Sequence, residues 1–577
     1  MESVSPIVAQ LHKALTDELR SRQVLDPGSA DDPIQAARSN LDEEIKAAEL
    51  AFRAYEAHSS REIEALRRRR NQLAPVLRLP NETLSSTLLF AVRGFEKYTA
   101  GIQCLFTIAS VCRAWRDVAL GCPSLWARLE RVPLPLFSLL LARSKQAPLD
   151  IIFDQKFALP LEENELSEYI ALISQHAHQW RTLIFRYPVF DEIMLSLLSS
   201  APHLEVLVLD GGPPFYAQAI DSSTLFPHSF VDHTPSLREL TLRAIFIPFT
   251  HPIYSNLVKM ELDHIEYVKP GSLREFFQAL EASPLLEELA LGFLLFSFPS
   301  VAGPSSPVSL PRLQTLKLLF LKPSWAPTYF LSHLSIPPSA YLELAGDTEL
   351  GSDLSTILPP YPNTHYNLPN LSSITTLVIQ VQAVAYAMSG SSRDKDLFVF
   401  ELSADPLEEL AAMISNLGRV FPMPLLDSVA FGYFHLDSDQ ANLELAAVCR
   451  DFFDRHPTIK ILACKDCHES VLEILSTTTP SLICPRLQHL TVERGALSPQ
   501  RLIEIVELRA KPRKTTPGNA EAENGGGSDS VDDERLSQVV IVSCPQFTEA
   551  HISTLRERVQ TEYKERDFLG SDEYESE

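Results

Sequence analysis

The stretch Cys464-Lys465-Asp466-Cys467-His468 holds the residue types best suited to chemistry in this chain. Two thiols three positions apart with an adjoining imidazole spell the attachment motif of a c-type haem. That chemistry needs an export route. The N-terminal stretch MESVSPIVAQLHKALTDELR has no basic segment followed by an apolar one, so no secretory signal is expected. A zinc site would need a second ligand pair, and Cys484 with His489 lacks the usual spacing. The sixteen histidines are scattered. His251, His264, His333 and His435 fall near apolar strands or loops, where a histidine caps or faces solvent more often than it binds a metal. There is no G-x-S-x-G, H-E-x-x-H, phosphate loop or calcium loop, and no carboxylate pair stands out from the acidic background. The expectation is a protein that is not an enzyme, with no cofactor and no metal, whose chemistry is binding.

The elements around these residues follow one template, L-x-x-L-x-L, often after a proline. It recurs at Leu204/Leu207/Leu209, Leu237/Leu240/Leu242, Leu257/Met260/Leu262, Leu286/Leu289/Leu291, Leu313/Leu316/Leu318, Ile374/Leu377/Ile379 and Leu397/Phe400/Leu402. It continues at Leu426/Val429/Phe431, Ile459/Leu462/Cys464, Leu487/Leu490/Val492 and Leu536/Val539/Ile541, with Trp180/Leu183/Phe185 as a first member and a degenerate one near Tyr341–Leu344. Apolar alternation over a few residues makes a half-buried strand. Helical returns are legible between strands, over Ser272–Ala282 and Pro499–Arg509. In this register Cys464 is the third apolar position of a strand and Cys467 lies three residues on, which accounts for the thiols without haem.

A different pattern precedes the strands. The segment LRLPNETLSSTLLFAV carries Pro80 and Glu82 in the first turn of a helix and an apolar face of Leu84, Leu88, Leu89 and Val92. In CLFTIASVCRAWRDVALGCPSLWARL, the residues Leu105, Ile108, Cys112, Trp115 and Ala119 step by 3, 4, 3 and 4, the period of one helix, stopped by Gly121 and Pro123. Two apolar-faced helices and two tryptophans make too small a core to stand alone, so a partner surface is expected, in the same chain or another.

These residues resemble the F-box family: Leu79-Pro80, Glu82 and Leu84, then Val111-Cys112-Arg113-Ala114-Trp115-Arg116, then Leu125-Trp126, with the stretch RGFEKYTAGIQ making the gap between the halves longer than in the compact motif. The strand template and its period resemble leucine-rich repeats. The last unit, LSQVVIVSCPQFTEAHISTLRERV, resembles the cysteine-containing type common in F-box proteins. The resemblance implies an α/β chain in which N-terminal helices and a helical F-box precede an irregular leucine-rich-repeat solenoid. It implies the substrate-recognition subunit of an SCF-type cullin–RING ubiquitin ligase. The Skp-type adaptor would be bound through Leu79, Pro80, Leu84, Leu105, Ile108, Val111, Cys112, Trp115 and Trp126. An unidentified protein target would lie on strand positions between the apolar ones, including Glu205, Arg238, Thr241, Glu288, Gln314, Lys317 and Gln488. The alternative is a repeat scaffold outside any ligase, with a degenerate F-box.

The remaining sequence sets boundaries. Residues 1–33 hold a short amphipathic segment, Ile7, Leu11, Leu15 and Leu19, closed by DPGSADDP. Residues 34–72 form one long helix. Leu41, Ile45, Ala48, Phe52, Tyr55 and Ser59 keep heptad spacing, which admits either a homodimeric coiled coil through 34–70 or a helix folded back on the body. Arg67–Arg70 suit the negative end of its dipole, with nuclear import as the other reading. The resemblance places an F-box over 73–130 and the repeats over 135–510. A polar insertion spans 511–535, the last repeat 536–562, and an acidic tail 563–577. A net charge of −24 and a pI near 5.1 argue against nucleic acid as a partner. No run approaches the roughly 18 apolar residues of a membrane span. Eight cysteines make no disulfide framework, and the expected compartment is cytoplasm or nucleus.

Overall fold

The computed structural model describes residues 4–23, 33–95, 98–154, 163–186, 201–211, 234–298, 306–347, 354–360, 363–381, 385–393, 395–403, 406–420, 422–436, 438–477, 482–510 and 535–565. The segment 511–534, which carries nearly all of the expected insertion, and residues 566–577 of the acidic tail lie outside the described residues. The chain divides into two compact units: residues 1–128 with 139–147, and residues 129–138 with 148–577.

The first unit is helical. Helix α1 (Val4–Gln23) packs on α2 (Pro33–Gln72), where the small side chains of Ala47 and Ala51 are fully buried. Three shorter helices follow: α3 (Asn81–Arg93), α4 (Tyr98–Val111) and α5 (Arg113–Gly121). The 3, 4, 3, 4 stepping promised one helix across Leu105–Ala119, and the structure breaks it in two. Cys112 is fully extended (φ −158°, ψ 169°), and its Sγ accepts the Trp115 N–H at 3.5 Å, capping α5. The apolar period runs through the break because both helices bury one side. The lengthened stretch RGFEKYTAGIQ is largely helix, since α4 begins at Tyr98.

The second unit is built on a sheet that has 17 strands among the described residues. In chain order they are β1 (Arg128–Glu130), β2 (Leu149–Asp154), β3 (Trp180–Arg186), β4 (Val206–Asp210), β5 (Glu239–Arg243), β6 (Lys259–Asp263), β7 (Glu288–Gly292), β8 (Thr315–Leu319) and β9 (Tyr341–Asp347). There follow β10 (Thr376–Val381), β11 (Ala385–Ser392), β12 (Lys395–Ser403), β13 (Ser428–Gly432), β14 (Ile461–Lys465), β15 (His489–Glu493), β16 (Gln538–Val542) and β17 (Gln560–Lys564). Strands β2 to β9 pair in parallel in chain order, as do β13 to β17. The register is unshifted from β3 to β9. Leu183, Leu207, Leu240, Met260, Leu289, Leu316 and Leu342 stand opposite one another, each with essentially no exposure. Burying each such side chain contributes on the order of 2 kcal/mol, enough to fix which face of every strand turns inward.

The uniform ladder that the template suggested is interrupted. The repeat members on β10 and β12 are not neighbours. β9 pairs in parallel with β12, β12 turns back through antiparallel β11, β11 pairs antiparallel with β10, and only then does β13 continue. The turn between β11 and β12 passes through Arg393 at φ 45°. Gly390 is required in the hairpin, because a Cβ there would stand 2.1 Å from the Phe398 ring. Strand β2 went unseen because Leu149, Ile151 and Phe153 alternate without the L-x-x-L lead-in, and β17 because Gln560–Lys564 is polar throughout. The helical returns fall where expected, Ser272–Glu281 and Pro499–Arg509, joined by Asp439–Arg455. Asn370, a glycosylation sequon by sequence, is fully buried and donates to the carbonyls of Ala340 and Leu397.

Candidate docking surfaces

The helical unit holds itself together with the inner faces of α3 and α4. The two helices pack on each other, and Leu84 and Leu88 of α3 and Gly101, Ile102, Leu105 and Ile108 of α4 are all buried. The helices approach so closely at Gly101 that a Cβ there would lie 2.8 Å from the Val92 carbonyl oxygen. The Arg116 Nε–H donates to the Ala109 carbonyl at 2.8 Å and fixes the angle between α4 and α5. Trp126 closes the unit. Its indole N–H donates to the Ala119 carbonyl at 2.8 Å, its ring meets Phe106 edge-on, and the Arg143 guanidinium lies 4.5 Å from its centre.

This packing divides the expected adaptor-contact residues by exposure. Leu84, Leu105, Ile108 and Trp126 are 0–5% exposed and face the interior of their own unit, because an apolar stripe on each helix covers the other. Leu79, Pro80 and Val111 are exposed, Val111 at 55%, and Cys112 and Trp115 are half-buried at the α4–α5 break. Phe90 at 82% exposure, Phe106 and Leu120 also lie open to solvent, and sequence reading missed them. Phe90 was legible in one respect: it falls off the Leu84–Leu88 stripe. Its outward position could be read from the helical period alone.

The expected target-contact residues fall into two groups. Thr241 and Lys317 are mid-strand and turned away from the buried rows, and Glu288 opens β7 on that same face. Glu205, Arg238, Gln314 and Gln488 do not lie on the strands. Each follows a short turn just ahead of one, with its N–H donating to a carbonyl at the start of the neighbouring strand: Glu205 to Arg181, Arg238 to Glu205, Gln314 to Glu287 and Gln488 to Lys460. The first leucine of the template sits in that turn, so the residue after it marks the rim of the sheet. The face itself is charged and internally paired. Lys259 meets Glu288 at 2.8 Å and Lys317 meets Glu343 at 2.7 Å. Arg181 forks onto Asp150, and its hydrogen bond to that carboxylate raises its pKa further above the usual arginine range. At the strand ends the row Asp154, Arg186, Asp210, Arg243 and Asp263 alternates in sign, with bridges at 2.7, 3.8 and 3.2 Å.

Next to that row runs a feature the sequence did not reveal. The residue just past a strand repeatedly adopts a left-handed backbone: Ala244, His264, Phe293 and Phe320, then Tyr433, Asp466, Arg494 and Ser543. Each donates its N–H to a carbonyl at the end of the neighbouring strand, as Phe293 does to Leu319 at 2.8 Å, and Phe320 to Ala345, two residues before the end of β9. In the first set the rings of His264, Phe293 and Phe320 stack at 4.4 and 4.8 Å. Positive φ is costly for bulky residues, and no spacing rule would have placed aromatics there.

The cysteine motif is absorbed by the fold. Cys464 stands in the buried row between Phe431 and Val492, and Cys467 is 2% exposed with its Sγ against the Phe431 and Lys465 carbonyls. A hydrogen bond to Cys467, then burial, push the Cys464 thiol well above its ordinary range, which makes it a poor thiolate. His468 caps a short helix, its Nδ1 accepting the Ser470 N–H. Among the described residues no cluster of three or more His, Cys, Asp and Glu side chains could hold a metal, and no helix is long and apolar enough to cross a membrane.

Burial lowers the pKa of His456, which sits 5% exposed with Nδ1 2.8 Å from the Phe452 carbonyl and its ring against Gly418. A histidine whose folded pKa is depressed favours the folded state above its unfolded value near 6.5, and that advantage is lost as pH falls toward the folded value. The thermal midpoint of the wild type is therefore expected to fall more steeply between pH 7.5 and pH 5.5 than that of His456→Gln. Equal slopes in calorimetry would contradict this.

No family model matches the chain, and no curated protein matches it.

Proposed function

We propose that this chain is the receptor subunit of a cullin–RING ubiquitin ligase. Its helical unit, an F-box, docks on the Skp-type adaptor, and its strand ladder, a leucine-rich-repeat array, holds a protein target. The observation that carries the reading is the state of Val111 and Trp115. They stand together at the break between α4 and α5, inside the motif Val111-Cys112-Arg113-Ala114-Trp115-Arg116, and the chain's own packing leaves Val111 open and Trp115 half-covered. Large apolar groups left at the surface of a small helical unit are the usual anchors of a protein interface. Leu79, Pro80 and Cys112 share the resemblance and are at least partly exposed, so they complete the proposed contact set. The buried members of the motif shape that surface from beneath.

On the second unit, Thr241, Glu288 and Lys317 lie on the strand face, with Glu205, Arg238, Gln314 and Gln488 along its rim. A specific target contact would bury on the order of 1,000 Å² or more across such a surface. Ubiquitin transfer then gains from proximity, since both macromolecules are held in one assembly, and no group on this chain takes part in the chemistry. The test is direct titration of the purified full-length chain with a purified Skp-type adaptor, followed by size-exclusion chromatography. A stable one-to-one complex is the expected result. A folded chain that never co-elutes with the adaptor would leave a repeat scaffold as the better description.

A further inference from the structure

The long helix α2 carries an apolar seam that its own unit leaves uncovered. Ala47 and Ala51 face α1 and are fully buried, whereas Leu41, Ile45, Phe52 and Leu66 are 55–60% exposed. In one heptad phase, Ile45, Phe52, Ser59 and Leu66 occupy the first core position, with Leu73 continuing it one residue past the helix. Ile34, Leu41, Ala48 and Tyr55 occupy the second. Ser59 and Glu62 are the polar breaks in the stripe. Ile34 and Leu73 at its two ends are each 71% exposed.

We infer that this seam is covered by the same seam of a second copy, running antiparallel. In that orientation the two core series match themselves: Ile34 lies opposite Leu73, Leu41 opposite Leu66, and Phe52 opposite Tyr55 at the centre. Charge selects this direction over the parallel one. The first half of the helix, 33–52, holds Asp42, Glu43, Glu44 and Glu49 against Arg38 and Lys46, and the second half, 53–72, holds Arg53, Arg61 and Arg67–Arg70 against Glu56, Glu62 and Glu64. A parallel pair sets acid on acid and arginine on arginine. An antiparallel pair sets the acidic half of each copy along the basic half of the other. The helix has 40 residues and is about 60 Å long at 1.5 Å per residue, so the two copies' α3–α5 units would sit at opposite ends of the bundle. Such a dimer presents two docking units to solution at once. The inference needs only α2 and stands whether or not α3–α5 bind an adaptor.

Sedimentation velocity of the full-length chain tests it. The expected species has twice the 64.5 kDa chain mass, and a Leu41→Glu, Phe52→Glu variant is expected to sediment as a monomer with an unchanged far-UV circular dichroism spectrum. Both substituted residues are exposed, so the change leaves the fold of one chain intact. Orientation is read by disulfide formation. Leu41→Cys chains mixed with Leu66→Cys chains should cross-link to each other above the wild-type background, and neither should cross-link alone. A monomeric wild type at the highest soluble concentration, a dimer indifferent to the glutamates, or self-cross-linking of either cysteine variant would each overturn the inference.

Discussion

A chain carrying Val111→Glu and Trp115→Ala is expected to fold like the parent and to bind the Skp-type adaptor at least about 100-fold more weakly, a loss typical of removing a pair of central interface anchors. The expectation of intact folding comes from exposure. Val111 ends α4 with more than half its surface in water, so a carboxylate there needs no desolvation in the free chain. Against a partner's apolar surface the same carboxylate would have to give up its water without a counter-charge. Trp115 contributes ring area at the helix break, while the cap it helps form uses its backbone N–H, which alanine retains. Trp126→Ala is the informative contrast. That ring is 1% exposed and its N–H is held by Ala119, so its loss should unfold the helical unit and abolish binding together with α-helical signal. Calorimetric titration with circular dichroism on each variant separates the two outcomes. Unchanged adaptor affinity in the folded double variant would remove α4–α5 as the docking surface.

The second large effect is expected at Arg509. This guanidinium is buried at the end of the helix Pro499–Arg509. It donates to the Leu475 carbonyl through Nε at 3.0 Å and through a terminal nitrogen at 2.9 Å, and reaches the Ile483 and Cys484 carbonyls at 2.6 and 3.1 Å. Burial lowers its pKa from the ordinary arginine value, and these carbonyls accept the N–H groups that have left water. Arg509→Ala removes the guanidinium donors from the Leu475 and Ile483 carbonyls, leaves the Cys484 carbonyl with the Leu487 N–H, and opens a cavity, at a cost of about 3–5 kcal/mol. Arg509→Lys should recover less than half, because an ammonium cannot span the fork of acceptors. The thermal midpoint of the second unit should drop by roughly 3–5 °C in the alanine variant. A drop under roughly 2 °C would mean that the loops around Leu475 and Ile483 are not pinned by this side chain.

How far the sequence carried differs between the two units for physical reasons. Strand positions were legible because alternation is local. Leu207 and Leu209, or Val539 and Ile541, announce an inward face with no knowledge of neighbours, and each lies buried in register. Which strand sits beside which was not legible. The β10–β11–β12 meander depends on Tyr386 and Met388 finding Leu402 and Phe400, a choice made by tertiary packing. The helical stripe of α3 and α4 was likewise visible, but a periodicity marks the buried side and says nothing of what buries it. Leu84, Leu105 and Ile108 therefore read as contacts for a partner, whereas they lie buried within the chain. The break at Cys112 escaped because a cysteine seldom caps a helix. The stacked ring of Phe293 escaped because left-handed backbone disfavours the very residue found there.

Hydrogen exchange of the full-length chain, with and without a saturating Skp-type adaptor, probes the central claim most directly, since it reports the contact surface of the unmodified protein. The account predicts slowed exchange across the amides from Phe106 to Leu120, around the α4–α5 break, and unchanged exchange in the strands from β4 to β9. Unaltered exchange at Val111–Trp115 in the presence of bound adaptor, or protection confined to the strand ladder, would contradict it.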